Sequence, residues 1–371
     1  MPAVQVTDVT TLARVPAPGP DATERTVRSV TDAPSGFEGE GFPVRRAFAG
    51  VELADLDPFV HMDQMGPVEY AAGEAKGTAW HPHRGFDSVT YVIDGSLEHQ
   101  DNNGGGGTIT SGGTQWLTTG AGVLHIERPP TDLVADGGPF HGLQLWVNLP
   151  RSRKFTEPRY QDLPGDDSVV LASADGGALV RLIAGDIGEA TGPAATNTPV
   201  AVLHAILRAD AELRLPWRTD FNALVYALSG AGSIGPGSGS IAPGSGGGSG
   251  SSDGDARPLR SGQLAVLGAG DVITLSAGDE GLDVMVLGGV PIREPVVWGG
   301  PFVMNSREEV HKAFDDYESG EFGRIPGGQA PVAPKPRAPL AAAVTARITA
   351  TPWTERKALL KRVLADRPAG Q

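Results

Sequence analysis

The chain contains no cysteine, and this absence restricts its chemistry more than any other feature of its composition. Without thiols it can form no disulfide, no thiolate zinc site and no cysteine nucleophile, so histidine and carboxylate side chains remain as its strong metal ligands. No apolar run reaches the roughly 18 residues that a membrane-spanning helix needs, and the first residues lack the basic and apolar pattern of a signal peptide. We therefore expect a cytoplasmic protein that makes no membrane contact.

Aromatic and basic residues are also scarce. Aromatics make up 6% of the 371 residues, whereas glycine (52) and proline (31) are abundant, a composition that disfavours long helices and favours turn-rich β structure. Lysine and arginine (30) are outnumbered by aspartate and glutamate (44), which gives a formal net charge of −14. A field of that sign repels a phosphate backbone, so we expect no direct binding of nucleic acid.

Short apolar runs separated by glycine-containing turns predict strands along most of the chain, in two series of similar length. We predict an all-β protein with two β-barrel domains in tandem, a C-terminal helix, and a disordered loop and tail. The predicted boundaries are a flexible N-terminus at 1–24, an N-terminal barrel at 25–150, a C-terminal barrel at 151–305, a helix at 306–325, and a linker with a basic tail helix at 326–371.

Two segments interrupt the strand pattern of the second half. The Gly/Ser/Pro-rich tract at 230–256 has too little apolar content to fold, so we predict a disordered loop between two strands. Ser306 and Glu309 form a capping box, an apolar stripe follows at helical spacing, and Gly320 is placed to end the helix. We expect the apolar stripe of this helix to pack on the barrels.

Two short motifs carry the side chains that bind metals most readily. His81 and His83 are two positions apart, which on an extended strand puts both imidazoles on one face, and His125 and Glu127 repeat this spacing further along the chain. Each pair alone is weak evidence. Four inward-facing donors would be costly to bury without a cation that neutralises the carboxylate. If the two strands are neighbours, the sequence predicts a metal site in the first barrel.

The sequence around these motifs resembles the pirin family of two-domain cupin proteins. Three blocks carry the resemblance in the family's order: HPHRGFDSVTYVIDG at 81–95, TQWLTTGAGVLHIE at 114–127 and EPVVWGGPFVMN at 294–305. The resemblance implies that both barrels are cupin-type double-stranded β-helices. It also implies an iron ion in the N-terminal barrel, bound by His81, His83, His125 and Glu127, and a C-terminal barrel with a structural role.

Other residues of these blocks are candidates for the pocket or for support of the ligands, namely Arg84, Asp87, Gln115 and Trp116. Asp87 stands where the family usually has glutamate, a departure that bears on the shape of the pocket more than on metal binding. We interpret two further histidines, His99 and His204, as hydrogen-bonded core residues rather than ligands.

The donor set does not select one metal. Three imidazoles and one carboxylate suit Fe(II), which the resemblance implies, but Mn, Co, Ni, Cu or Zn would also bind. The resemblance further implies a quercetinase, a quercetin 2,3-dioxygenase-type oxygenase that uses O2 and acts on a small planar polyphenol or another enolizable oxygen substrate. Glu127 would then be both ligand and catalytic base. The alternative is a non-catalytic, redox-sensing regulator that binds a protein partner, either a transcription factor or a metabolic enzyme.

Overall fold

The computed structural model describes residues 8–236 and 256–327. This part of the chain is mostly β-strand with a few short helices, so the all-β prediction is confirmed. Most of the predicted disordered loop and nearly all of the predicted linker and tail helix lie outside the described residues. Within the described ranges, no helix is long and apolar enough to cross a membrane.

The strands and helices alternate with tight turns along both halves of the chain. In chain order the first twelve strands are β1 (Val27–Asp32), β2 (Ser35–Glu38), β3 (Phe42–Arg46), β4 (Phe59–Tyr70), β5 (His81–His83), β6 (Phe86–Asp94), β7 (Ser96–Asp101), β8 (Gly106–Thr110), β9 (Thr114–Thr118), β10 (Val123–Arg128), β11 (Gly138–Asn148) and β12 (Arg159–Leu163). The next twelve are β13 (Val169–Ala172), β14 (Ala178–Ala184), β15 (Asp186–Ile187), β16 (Ala190–Thr191), β17 (Val200–Leu207), β18 (Glu212–Pro216), β19 (Leu224–Ile234), β20 (Arg257–Arg260), β21 (Gln263–Leu267), β22 (Val272–Gly289), β23 (Val297–Gly299) and β24 (Phe302–Met304). The α-helices are α1 (Leu53–Leu56), α2 (Thr131–Asp136) and α3 (Arg307–Glu318), and short 3-10 turns occupy Val9–Thr11, Arg151–Arg153 and Gly165–Asp167.

The N-terminal barrel is built from two sheets. A seven-stranded sheet has the order β12-β9-β6-β11-β4-β3-β2, and a four-stranded sheet has the order β5-β10-β7-β8 in the described part of the chain. Side chains from the two sheets meet inside the barrel, where Thr90 on β6 donates a hydrogen bond to Glu127 on β10 (2.7 Å). The candidate metal ligands lie on the four-stranded sheet.

The C-terminal barrel is a single nine-stranded sheet among the described residues, with the path β1-β21-β19-β22-β17-β14-β13, to which β18 and β20 add on β22 and β19. The apolar pattern of β22 predicts two short strands, but the structure has one strand of 18 residues. Its first half pairs with β18 and its second half with β17, which joins the two faces of the barrel. Likewise, residues 230–234, which composition assigns to the disordered loop, complete β19.

Each barrel receives one strand from the other half of the chain, so the domain boundaries differ from those predicted. β1, expected in the N-terminal barrel, pairs with β21 of the C-terminal sheet, and β12, expected in the C-terminal barrel, pairs with β9 of the N-terminal sheet. Upstream of β1, residues 8–24 do not form a free terminus. They follow the C-terminal barrel, where Val15 N donates to Ala172 O (2.8 Å).

The two barrels share one apolar core along the facing sides of their large sheets. Strand alternation directs one face of β6, β9 and β11 into this interface. The fully buried contributors include Val89, Trp116 and Val147 from the first barrel and Leu224, Tyr226 and Leu287 from the second. One buried apolar cluster therefore contains side chains from both barrels and holds the barrels together.

After β22 the chain returns to the N-terminal barrel. The β23–β24 hairpin and α3 pack on it through Phe302 and Phe314, which lie in one cluster with Trp80 and Leu124 beside β5 and β10. The Ser306 hydroxyl accepts a hydrogen bond from Glu309 N (3.2 Å), so α3 begins where the capping box predicts. This segment covers the strands that carry the candidate ligands.

A polar network crosses the domain interface next to the shared core. Tyr226 donates its hydroxyl hydrogen to Gln64 Oε1 (2.8 Å), and Gln64 Nε2 lies 2.9 Å from His141 Nε2, which therefore accepts. Burial lowers the pKa of His141 to about 4, opposed by the nearby Asp283 carboxylate. The folded state keeps this imidazole neutral.

This network makes stability depend on pH. The His141 pKa is depressed in the folded state, so its contribution is complete above the unfolded pKa of about 6.5 and is lost as the pH falls toward about 4. We expect that lowering the pH from about 7.5 to about 5 costs the wild type roughly 2 kcal/mol more than His141→Gln, which cannot titrate. Urea unfolding of both proteins at the two pH values measures this difference, and equal losses would contradict it.

Candidate metal centre

The two metal-binding motifs lie on neighbouring strands, as the sequence analysis requires. Strands β5 and β10 pair antiparallel with His125 directly opposite His81 and Val123 opposite His83. On its other edge β10 pairs with β7, which puts Glu127 opposite His99. The pleat of β10 therefore turns His125 and Glu127 toward the barrel interior together.

The three imidazoles form a compact cluster. The ring centroids of His81 and His83 are 4.7 Å apart, those of His81 and His125 4.3 Å, and those of His83 and His125 4.9 Å. One nitrogen from each ring lies within 4.8 Å of the corresponding atom of the others. His83 and His125 are buried and His81 is half-buried. This spacing allows all three rings to ligate one ion.

Backbone carbonyls select the nitrogens that face the cluster. Ala79 O lies 2.8 Å from Nδ1 of His81, and Pro301 O lies 3.2 Å from Nδ1 of His83. A carbonyl oxygen can only accept, so both Nδ1 atoms carry the hydrogen and both Nε2 atoms keep a lone pair. Nε2 of His125 is buried and has no hydrogen-bond partner in the described part of the chain. A cation is the partner that this set of nitrogens fits.

The protonation state of His125 suits a metal ligand. Its ring is fully buried, and burial, followed by the proximity of His81, His83 and His99, holds its pKa well below the usual value. Neutral imidazole is the form that coordinates a metal. The ring is thus ready to ligate at physiological pH.

Glu127 is held by three hydrogen bonds at the edge of the cluster. Its Oε1 accepts from Thr90 Oγ1 (2.7 Å) and Gln115 Nε2 (3.1 Å), and its Oε2 accepts from Gln144 Nε2 (3.0 Å). The carboxylate is buried, with 6% of the residue exposed. Neutral donors thus stabilise a negative charge deep in the barrel.

The structure groups the carboxylate with two of the imidazoles. Ligand atoms of Glu127, His125 and His99 lie within 4.8 Å of one another, and His125 also belongs to the cluster with His81 and His83. Glu127 is not grouped with His81 and His83 at this spacing, so the four predicted ligands come together as two groups that share His125.

Of the four predicted pocket residues, Gln115 lies at the site, through its hydrogen bond to Glu127. Arg84 does not. Its Nη1 donates to Asp316 on α3 (2.7 Å), its Nε donates to Ala121 O (2.6 Å), and its guanidinium stacks on Phe322 with 4.3 Å to the ring centroid. Because the residue after His83 on an extended chain points to the opposite side, Arg84 joins α3 to the barrel instead of lining the pocket.

Asp87 and Trp116 are also outside the pocket. Trp116 Nε1 donates to Asp87 Oδ2 (3.0 Å), and Asn197 Nδ2 from the second half of the chain lies 3.4 Å from Asp87 Oδ1. Both residues are fully buried on the side that faces the other domain. Their strands alternate, so Thr90 and Gln115 point into the barrel while these two point away from it. Burial raises the pKa of Asp87.

Sequence reasoning missed Thr90 and Gln144, and it interpreted His99 correctly as a buried, hydrogen-bonded residue but did not place it at the site. His99 stacks on Tyr160 with the ring centroids 5.0 Å apart, and its Nδ1 lies 3.1 Å from Gln115 Nε2. A usable signal was the strand phase, since Thr90 and Gln144 are polar residues on inward positions of otherwise apolar strands. His99 can be placed at the site only from the register of β7 against β10, which cannot be read from the sequence.

His204 is a hydrogen-bonded core residue, as predicted. Its Nδ1 lies 2.7 Å from the Tyr91 hydroxyl and its Nε2 lies 2.5 Å from Asp283 Oδ1. Burial raises the pKa of Tyr91 far above its usual value, so the phenol stays protonated and donates to the ring. Both nitrogens of His204 are satisfied, and it is not available as a ligand.

A small cleft borders the site at Glu127 and Gln144. Its walls are mostly apolar, and Glu127 and Gln144 contribute polar atoms to it. The lining residues include Phe42, Met65, Tyr70, Lys76, Thr78, Ser96, Leu97 and Phe140. This small cleft therefore exposes Glu127 and Gln144 to the surface.

These features define a protein of two cupin domains with a candidate metal centre in the first. Family models described as Pirin and as Pirin C-terminal cupin domain match residues 41–147 and 202–323. A pirin from Rattus norvegicus is 37% identical over 288 residues, which cover 77% of this chain and 89% of that protein. The chain belongs to the pirin family.

Two further relatives carry dioxygenase names. A Pseudomonas aeruginosa protein whose name as a quercetin 2,3-dioxygenase is provisional is 36% identical over 77% of this chain and 94% of its own length. The crystal structure of a quercetin 2,3-dioxygenase from Acinetobacter baumannii matches with a TM-score of 0.72 and 33% identity, covering 81% of this chain and 99% of that one.

The histidine cluster predicts that metal binding stabilises the protein. Adding Ni2+ or Co2+ to metal-free protein at about 100 times the dissociation constant should raise the free energy of unfolding by about 2.7 kcal/mol. The variant with His81→Ala and His125→Ala should lose this gain, whereas His311→Ala on α3 should keep it. Thermal melts with and without metal measure the effect, and equal gains in all three proteins would count against the site.

Proposed function

We propose that the chain is a mononuclear metal-dependent dioxygenase of the quercetin 2,3-dioxygenase type, with His81, His83, His125 and Glu127 as the metal ligands. The observation that carries the proposal is the cluster of three imidazoles whose ligand atoms lie within 4.8 Å of one another, with buried Glu127 grouped at the same spacing with His125. Fe(II) is the proposed metal, and the same donors accept Mn, Co, Ni, Cu or Zn. The similarity to the Acinetobacter baumannii dioxygenase supports the reaction type.

The proposed substrate is a small planar polyphenol, or another enolizable hydroxy-ketone, together with O2. The cleft supports this choice because its walls are apolar and its polar atoms are few. The aromatic walls would pack on the flat ring system, and Glu127 and Gln144 would meet the hydroxyl and carbonyl groups.

Bound iron(II) would supply open coordination positions and the one-electron chemistry that reaction with O2 requires. Glu127 accepts the proton of the substrate hydroxyl, which leaves the enolate that reacts. Thr90 and Gln115 both donate hydrogen bonds to Oε1 and hold it in place. Oε2 is therefore the oxygen that takes up the proton. Gln144, which donates to Oε2, lines the cleft and is placed to steady the substrate oxygen. The apolar walls exclude water.

The direct test is aerobic turnover by iron-loaded protein, followed by loss of quercetin absorbance and by O2 uptake. Replacing the base in Glu127→Gln should lower kcat by about 100-fold or more. Asp220→Asn, which changes a surface ion pair of the second barrel, should leave the rate unchanged. An absence of metal-dependent O2 uptake with every polyphenol tried would refute the enzyme proposal.

The cleft makes a separate prediction about substrate access. Ser96 lines the cleft and is not a proposed ligand, so Ser96→Trp should fill the cleft without disturbing the metal site. We expect kcat/KM for quercetin to fall by about tenfold or more, which corresponds to about 1.4 kcal/mol of lost transition-state binding. Metal content measured on the same sample should equal that of the wild type. An unchanged kcat/KM would place the substrate elsewhere.

A second candidate function is a redox-sensing regulator that binds a protein partner. The observation that favours it is the connection from His83 through Pro301 O and from Arg84 through Asp316 to α3. Oxidation of the metal adds one unit of charge, which this connection would relay to α3. The turnover test separates the two functions. A regulator would show no O2 uptake, but its hydrogen exchange at α3 would differ between the reduced and the oxidised protein.

A further inference from the structure

A contact between two buried histidines lies behind the proposed ligand cluster. Nδ1 of His125 and Nδ1 of His99 are 3.3 Å apart, and both residues are at least 96% buried. Two N–H groups, or two lone pairs, would repel at this distance. One ring must therefore donate a hydrogen and the other must accept it.

Gln115 decides the direction of this hydrogen bond. Its Nε2 lies 3.1 Å from Glu127 Oε1, and because a carboxylate only accepts, the amide nitrogen must face that way. The same nitrogen lies 3.1 Å from Nδ1 of His99. Nδ1 of His99 therefore faces a donor and must be an acceptor. It follows that His125 donates from its Nδ1 and keeps its lone pair on Nε2, toward His81 and His83.

The proton of His99 then sits on Nε2, which has no hydrogen-bond partner within 3.5 Å among the described residues but lies near a buried carboxylate. Nε2 lies 3.6 Å from Asp101 Oδ2, and Asp101 is buried. The other carboxylate oxygen, Oδ1, accepts from the backbone N–H groups of Asn103 (2.7 Å) and Gly105 (2.9 Å), which orient the acid. Tyr160 stacks on His99 with an 8° angle between the rings and fixes the plane of the imidazole.

We propose that His99, backed by Asp101, is a positioning residue that keeps the proton of His125 on Nδ1 and so presents Nε2 to the metal. The purpose of this arrangement rests on the proposed metal site, but the tautomer is a property of the metal-free protein. A ligating imidazole that donates its other N–H is oriented and made more basic, and loss of such an outer partner typically weakens metal binding roughly 10–100-fold.

The first experiment measures the tautomer in metal-free protein by NMR of 15N-histidine-labelled samples, with the His125 signals assigned from His125→Gln. The wild type should show His125 protonated on Nδ1 and unprotonated on Nε2. His99→Ala should lose this preference. His99→Asn should retain it, because Asn Oδ1 stands where Nδ1 stood and can accept. The matched control is Glu98→Gln, because Glu98 is next to His99 on β7 but forms a surface ion pair with Arg128.

The second experiment measures affinity for Co2+ and its visible absorption spectrum in the same proteins. We expect roughly 10–100-fold weaker binding by His99→Ala, a smaller loss in Asp101→Asn, and recovery in His99→Asn. Thermal melts in the absence of metal check that each variant is folded. If His99→Ala does not fold, His99→Asn and Asp101→Asn still test the proposal.

The two proposals fail in different ways. A wild type with His125 protonated on Nε2, or an unchanged tautomer and Co2+ affinity in His99→Ala, would overturn the role of His99. A wild type with the expected tautomer but no metal binding would support the role of His99 and refute the metal site of the proposed function.

Discussion

A buried imidazole has two nitrogens, and each needs a hydrogen-bond partner, because burial removes the hydrogen bonds that water would otherwise supply. At this site the protein supplies one partner to each ring: Ala79 O to His81, Pro301 O to His83, and the ring of His99 to His125. Every one of these partners engages Nδ1. The Nε2 atoms are left with their lone pairs, and the ligand atoms of the three rings lie within 4.8 Å of one another. The surrounding structure is arranged to produce that set of lone pairs, and it is this arrangement that favours a cation.

The C-terminal half of the chain takes part in building the site. Pro301 reaches His83 because the chain returns from the second barrel and runs beside the turn after β5, where Gly85 has φ +90° and a Cβ would lie 2.1 Å from Val303 O. Lys154, fully buried, donates from Nζ to Gly85 O, Asn148 Oδ1 and Val303 O at 2.7–2.8 Å. Burial lowers the pKa of Lys154 to about 7, so these three acceptors offset a considerable desolvation cost. The segment that follows β22 is thus part of the structure that supports the site in the first barrel.

Periodicity and spacing sufficed for the features that are local. They gave the all-β class, the common face of the two ligands within each motif, and the cap of α3 at Ser306. They failed where the outcome depends on a distant partner. Strand β4 is hard to predict from the sequence because it carries polar residues on both faces and contains Gly66-Pro67. The exchange of β1 and β12 between the barrels, and the place of His99 beside His125, depend on register between segments far apart in sequence.

The two candidate functions use different sides of one site. An enzyme needs a route for substrate, and the apolar cleft supplies it on the side of Phe42 and Leu97. A regulator needs a route from the metal to the surface, and the contacts of Pro301 and Arg84 with the ligand strand supply it on the side of α3. Neither route interrupts the other, because the cleft ends at Glu127 and the surface connection begins at His83. Under the two proposed functions, catalysis and signalling would share the metal only through its oxidation state, and an oxygenase whose iron cycled during turnover would pass that change on to α3.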